Sequence, residues 1–167
     1  MKRFVFSSVL LSGALLSTAA NADDCETILK SYEALAATPS YSQTIVSKDS
    51  SKMQSVAIGD LLYLNADGTW QKVQLQPGGR LGILKSFVPD AASLKDCTQD
   101  GSEELNGKAM TIYSYTPPAI EGMGDAGKSG PQKLWVGNDD GLPYRMVAVN
   151  EGIEMTIAYD GVAAPIP

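Results

Sequence analysis

Residues 132–160 read QKLWVGNDDGLPYRMVAVNEGIEMTIAYD, and the period of their apolar positions decides the fold. Ile153, Met155, Ile157 and Tyr159 alternate with Glu154, Thr156, Ala158 and Asp160, which gives the last segment one apolar and one wettable face. Asn138-Asp139-Asp140-Gly141 and Glu151-Gly152 carry turn chemistry, so the stretch divides into strands over 132–137, 142–150 and 153–159 joined as two hairpins.

The same period runs upstream. Asn106-Gly107, a strong hairpin signal, joins strands expected over 96–105 and 108–116, the second with Met110 and Ile112 on one face. Ala66-Asp67-Gly68 turns 60–65 into 69–75, and 41–47 and 52–59 precede them, the latter alternating through Val56 and Ile58. Two intervals break the pattern. After Asp23 and Asp24, the positions Ile28, Leu29, Tyr32, Leu35 and Ala36 recur at helical spacing until Pro39 stops them. Over 80–95, Leu81, Leu84, Val88 and Leu94 suggest a second helical interval divided at Pro89, and 117–130, with Gly122, Gly124, Gly127 and Gly130, reads as a flexible loop.

Eight or nine antiparallel strands cannot bury an apolar face against one short helix while staying flat. The expected fold is α+β: a strongly curved antiparallel sheet, open as a half-barrel, with an N-terminal helix and a mid-chain helical insertion covering its concave face.

Residues 1–22 read as an export signal: Lys2 and Arg3 precede an apolar run from Phe4 to Leu16, and Ala20-Asn21-Ala22 offers a cleavage site after Ala22. The run is shorter than the about 20 apolar residues of a membrane span, so no stable membrane anchor is expected, and 23–167 forms a single periplasmic domain. Cys25 and Cys97 both fall in that part; an even count in an oxidising compartment favours a disulfide, with two buried free thiols as the alternative, while a redox pair would need closer spacing. The bridge would close a loop of about 70 residues, worth on the order of 4 kcal/mol.

The 167-residue chain has 13 basic and 19 acidic residues, and loss of Lys2 and Arg3 deepens its net charge of −6 by two, which excludes nucleic acid as a natural partner. Histidine is absent, so Ser-His-Asp and Cys-His catalysis and His-containing zinc sites are excluded. No nucleophile elbow or phosphate-cradling loop is present, and the acidic pairs Asp139-Asp140 and Glu103-Glu104 lack the ligand spacing of a calcium loop; neither an enzyme, a cofactor nor a metal site is expected. Trp70 and Trp135 could line a ligand mouth or cover core, Arg145 could meet a headgroup or pair with Glu154, and Met53, Met110, Met123, Met146 and Met155 could form an adaptable lining or ordinary packing.

Gln132-Lys133-Leu134-Trp135-Val136 with Gly141-Leu142-Pro143-Tyr144-Arg145-Met146 resembles paired strands of the LolA/LolB-type periplasmic lipoprotein carriers and the related mycobacterial lipid-carrier lipoproteins. Gly59-Asp60-Leu61-Leu62-Tyr63-Leu64 and Gly68-Thr69-Trp70-Gln71-Lys72-Val73 resemble an earlier strand, turn and tryptophan strand of the same group, and the order of elements agrees over 24–160. The resemblance implies a non-enzymatic periplasmic binder of a lipid or of an acylated protein. The competing expectation is an envelope protein-interaction module, a sensor or inhibitor, whose concave face is filled by its own side chains. For a carrier, the expected lining is Val56, Ile58, Leu62, Val73, Met110, Ile112, Leu134, Val136, Met146 and Ile157, with Leu81, Leu84 and Val88 as a lid.

Overall fold

The computed structural model describes residues 22–119 and 129–166; most of the expected export signal and the middle of the 117–130 loop lie outside them. Helix α1, Ala22–Ala37, carries Asp23 and Asp24 in its first turn, where carboxylates favour the helix dipole. Pro39 has no N–H to continue it, and Thr38 closes the end by donating its N–H to the carbonyl of Ala34 and its hydroxyl to that of Leu35.

Nine strands follow: β1 Ser40–Val46, β2 Lys52–Ile58, β3 Leu61–Ala66, β4 Thr69–Gln74, β5 Lys95–Leu105, β6 Lys108–Thr116, β7 Gln132–Gly137, β8 Pro143–Ala148 and β9 Ile153–Ala158. They form one antiparallel sheet in the order β4-β3-β2-β1-β9-β8-β7-β6-β5. The turns that join them obey their residues: Asp67 and Gly68 (φ 58° and 82°) and Asn106 and Gly107 (φ 53° and 78°) hold the paired positive φ angles that tight hairpins require.

The expected helical interval resolves into α2, Gly79–Phe87, and a short 3-10 turn, Ala91–Ser93, on either side of Pro89. This segment joins β4 to β5, which are the two opposite edges of the sheet. It must therefore cross the concave face, which makes α2 a strap over that face.

Register assigns the faces. Tyr41 pairs with Ala57 and Ala57 with Leu62; Ile45 pairs with Met155, Met155 with Met146, Met146 with Leu134 and Leu134 with Tyr113. These residues share the concave face, and α1 packs on it in two places. Ile28 enters a core with Val88, Leu94, Cys97, Tyr113, Tyr115, Leu134 and Val136, while Leu35 enters a second with Tyr41, Ala57, Met155 and Ile157. The Cys25–Cys97 disulfide, Cα atoms 5.2 Å apart, ties α1 to β5 as expected. Among the described residues, no helix is long and apolar enough to cross a membrane.

Candidate functional site

Beyond α1, the concave face is not filled. Between it and α2 lie two adjoining spaces. The first, about 440 Å³, is walled by Tyr41, Met53, Ser55, Leu62 and Leu64 from the sheet and by Leu75, Arg80 and Ile83 from the strap. The second, about 480 Å³, is walled by Leu84, Val88 and Tyr32 from the helical side, by Tyr115, Gln132, Met146 and Met155 from the sheet, and by Pro117, Pro118 and Ser129. Gln43, Ile45 and Phe87 line both, so they are two lobes of one groove. Each lobe falls within the roughly 300–1,000 Å³ typical of small-molecule sites.

The groove persists because α2 does not sink into it. None of its residues is buried, and Leu81, Ile83 and Phe87 remain 38%, 43% and 49% exposed. Its tether to α1 includes a Lys85–Glu33 ion pair at 4.0 Å between exposed side chains, a contact worth little in water.

Polar groups in the groove are few. Ser55 donates its hydroxyl to Gln43 Oε1 at 2.9 Å, and Gln43 Nε2 donates to Met155 Sδ at 3.4 Å. Tyr32, Tyr115 and Gln132 form a hydroxyl-to-amide chain, with 2.7 Å between the two hydroxyls and 2.6 Å from Tyr115 to Gln132 Oε1. Burial pushes the Tyr32 hydroxyl up to about 12, the Tyr115 bond offsetting only part of that, and burial also raises Tyr115 well above the ordinary tyrosine value. Among the described residues lining either lobe, Arg80 is the one charged side chain; its guanidinium carbon lies 5.7 Å from the Tyr41 ring centre. Burial raises the Tyr41 hydroxyl, with the Arg80 cation pulling the other way.

The expected lining residues separate into two sets. Leu62, Val73, Leu134, Val136, Met146 and Ile157 share the concave face; Leu62 and Met146 line the groove, whereas Leu134, Val136 and Ile157 are buried beneath α1 and Val73 is 40% exposed on edge strand β4. Val56, Ile58, Met110 and Ile112 lie on the convex face: Val56 pairs with Ser42 and Tyr63, Ile58 with Ser40 and Leu61, Met110 with Gly137 and Ile112 with Trp135. On β2 and β6 the inward residues are instead Met53, Ser55 and Ala57, and Thr111, Tyr113 and Tyr115. The expected register was one residue out there, because apolar residues occupy both faces and Ser55 turns inward to meet Gln43. Of the lid residues, Leu84 and Val88 line the second lobe and Leu81 does not.

Residues that the sequence reading passed over include Gln43, Ile45, Arg80, Ile83 and Phe87. A signal was present. Positions 80, 83, 84 and 87 follow the i, i+3, i+4, i+7 spacing of one helix face, and Tyr41, Gln43 and Ile45 alternate along one strand.

Trp70, opposite Asn65, and Trp135 both belong to the convex face, where Arg145 lies 4.6 Å over the Trp135 ring and pairs with Glu154 at 2.8 Å. Asp140 is engaged by Lys108 Nζ at 2.6 Å and by the Tyr144 hydroxyl at 2.8 Å. Burial pushes its carboxyl up, but these bonds and the Leu142 N–H prevail and hold it below the ordinary value. Met123 lies outside the described residues.

No protein-family model matches the chain, and no curated protein matches it by sequence. Solved structures that share its architecture include the lipoprotein LppX of Mycobacterium tuberculosis, which aligns with 87% of this chain and 97% of its own at a TM-score of 0.53 and 14% identity. LprF of Mycobacterium bovis aligns with 89% of this chain and 96% of its own at 0.51 and 14%. A chain of the Pseudomonas aeruginosa MucA/MucB complex aligns with 86% of this chain but only 59% of its own, at 0.51 and 16%. Identities of this size speak to fold and not to activity. With its N-terminal helix, its strap and its nine-stranded open sheet, the protein has the open half-barrel fold seen in LppX and LprF.

Proposed function

We propose that the protein is a non-enzymatic binder of a hydrophobic ligand, a lipid or acyl chain, held in the groove beneath α2, and that it works as an exported periplasmic chain beginning at Asp23. One observation carries this reading: two joined lobes of about 440 and 480 Å³, lined almost throughout by apolar side chains, lie between a sheet and a helix with no buried residue. A domain filled by its own side chains leaves few voids larger than a water molecule. The likeness to the lipoprotein LppX supports the same reading at the level of fold.

The test is titration of the full chain with the neutral fluorophore N-phenyl-1-naphthylamine, beside native mass spectrometry of protein purified from the cell envelope. Wild type is expected to bind the fluorophore saturably and to carry added lipid mass. Ile45→Trp, which places a large ring where the two lobes meet, is expected to stay folded and to lose both. A wild-type protein that binds no fluorophore and carries no added mass would overturn the reading and favour a protein-interaction module, the class represented at this fold by the MucA/MucB complex.

A further inference from the structure

The groove contains one polar group whose bonding is unspent, and this specifies the ligand's polar end, given the hydrophobic-ligand reading above. Ser55, Gln43 and Met155 satisfy one another, as do Tyr32, Tyr115 and Gln132. Arg80 is different. Its Nη1 is buried and makes no hydrogen bond within the protein, and among the described residues no carboxylate pairs with it. Tyr41 offers the guanidinium a ring at 5.7 Å and a hydroxyl that interacts with it, which attracts the cation but leaves Nη1 itself unpaired.

Buried donors nearly always meet an acceptor, and an unpaired one is costly, more so when charged. Arg80 lines the first lobe, so an anionic occupant of that lobe would supply an acceptor. Among the described residues no acidic side chain lines either lobe, although the chain as a whole is acidic. The end of α2 nearest Arg80 adds to the effect: Gly78 caps it without a side-chain hydrogen bond, leaving the positive end of the helix dipole unneutralised.

We propose that the ligand is an anionic amphiphile, an acyl lipid with a carboxylate or phosphate headgroup. The planar fork of Arg80 takes the headgroup at the first lobe, a geometry suited to two parallel N–H bonds to either oxyanion. The acyl chain passes Ile45 and Phe87, where the lobes join, and ends against Met146 and Met155 in the second.

The experiment measures displacement of N-phenyl-1-naphthylamine from the full chain by palmitate, hexadecyl phosphate and hexadecanol, which share a chain and differ in headgroup. Wild type is expected to prefer the two anions to the alcohol by about 10- to 100-fold, the range for a charge-assisted hydrogen bond. Arg80→Gln is expected to erase the preference, bringing the two anions to the affinity of the alcohol measured in the same protein, and Arg80→Lys to keep part of it. Inorganic phosphate is expected to displace nothing and to leave the preference intact. A wild type that binds the fluorophore but treats the three compounds alike, or an Arg80→Gln protein that keeps the preference, overturns the headgroup assignment alone. Competition by inorganic phosphate at the concentrations where palmitate acts would make free phosphate the ligand of Arg80 and overturn the acyl-lipid assignment. Failure of the wild type to bind any of the probes would overturn both this inference and the hydrophobic-ligand reading.

Discussion

Two helices cover the same concave face and meet it in opposite ways. α1 inserts Ile28 and Leu35 into two separate cores and is bonded to β5 through Cys25–Cys97; α2 inserts nothing that becomes buried and leaves Ile83 and Phe87 about half exposed. The sheet beneath them differs accordingly. Leu134 and Val136 under α1 are 0% and 5% exposed, whereas Ile45, Leu62 and Leu64 under α2 are only half-buried. Burying a large aliphatic side chain contributes roughly 1.5–3 kcal/mol, so stability concentrates in the closed half. The lesson is one of segregation: an open groove is tolerable because the fold does not depend on closing it.

The strongest way to break this comparison is to cut the staple of the closed half. Cys97→Ala is expected to lower unfolding free energy by about 2–5 kcal/mol in urea titration. A loss below about 1 kcal/mol would show that α1 is held by packing alone. Leu134→Ala comes next, with an expected loss of about 2–5 kcal/mol from its fully enclosed position, without a direct contact to the groove. If it instead abolished fluorophore binding in a protein that remained folded, the two halves would not be separate.

Tyr32 sits where the halves meet, touching both cores and the second lobe, and it makes the comparison sensitive to pH. Its hydroxyl titrates at about 12 in the fold against 10.0 when unperturbed, so the unfolded chain releases this proton first. The stability it contributes is complete below pH 10.0 and is lost as pH rises toward about 12, by roughly 2–3 kcal/mol in all. Tyr32→Phe should flatten that alkaline decline in denaturation curves measured across the window; an unchanged decline would assign it to Tyr115 and its neighbours. The smallest expected effect on stability belongs to the open half. Phe87→Ala should change unfolding free energy by less than about 1 kcal/mol yet weaken fluorophore binding several-fold, since Phe87 lines both lobes while standing half exposed.

The architecture was legible because its turns carry their own chemistry. Ala66-Asp67-Gly68, Asn106-Gly107 and Glu151-Gly152 fix where strands end, and Pro39 and Pro89 break helices where the structure ends them. Strand faces were legible where one side is wet: Ile153, Met155 and Ile157 do share a face with Met146 and Leu134. They were not legible on β2 and β6. Val56 and Met110 are buried on the convex side while Ala57 and Tyr113 are buried on the concave side, and a strand covered on both faces loses the alternation that marks inside from outside. Arg80 escaped notice for a related reason: a charged residue at the head of an apolar stripe reads as solvent-facing until the strap is seen to run from one sheet edge to the other.

The pairing of β1 with β9 has a consequence in time as well as space. The first strand and the last lie side by side at the middle of the sheet, and every other strand extends outward from that seam. As the chain lengthens, β1–β4 and β5–β8 can each zip into a local ladder, but nothing joins the ladders edge to edge until Ile153–Ala158 has been made. Closing that long separation is the slow, entropically expensive step of a fold built on non-local pairs. The two lobes of the groove therefore do not form together: the first is lined by residues 41–87 alone, whereas the second, which sets Met146 and Met155 beside Gln43 and Ile45, exists only once β9 has docked against β1.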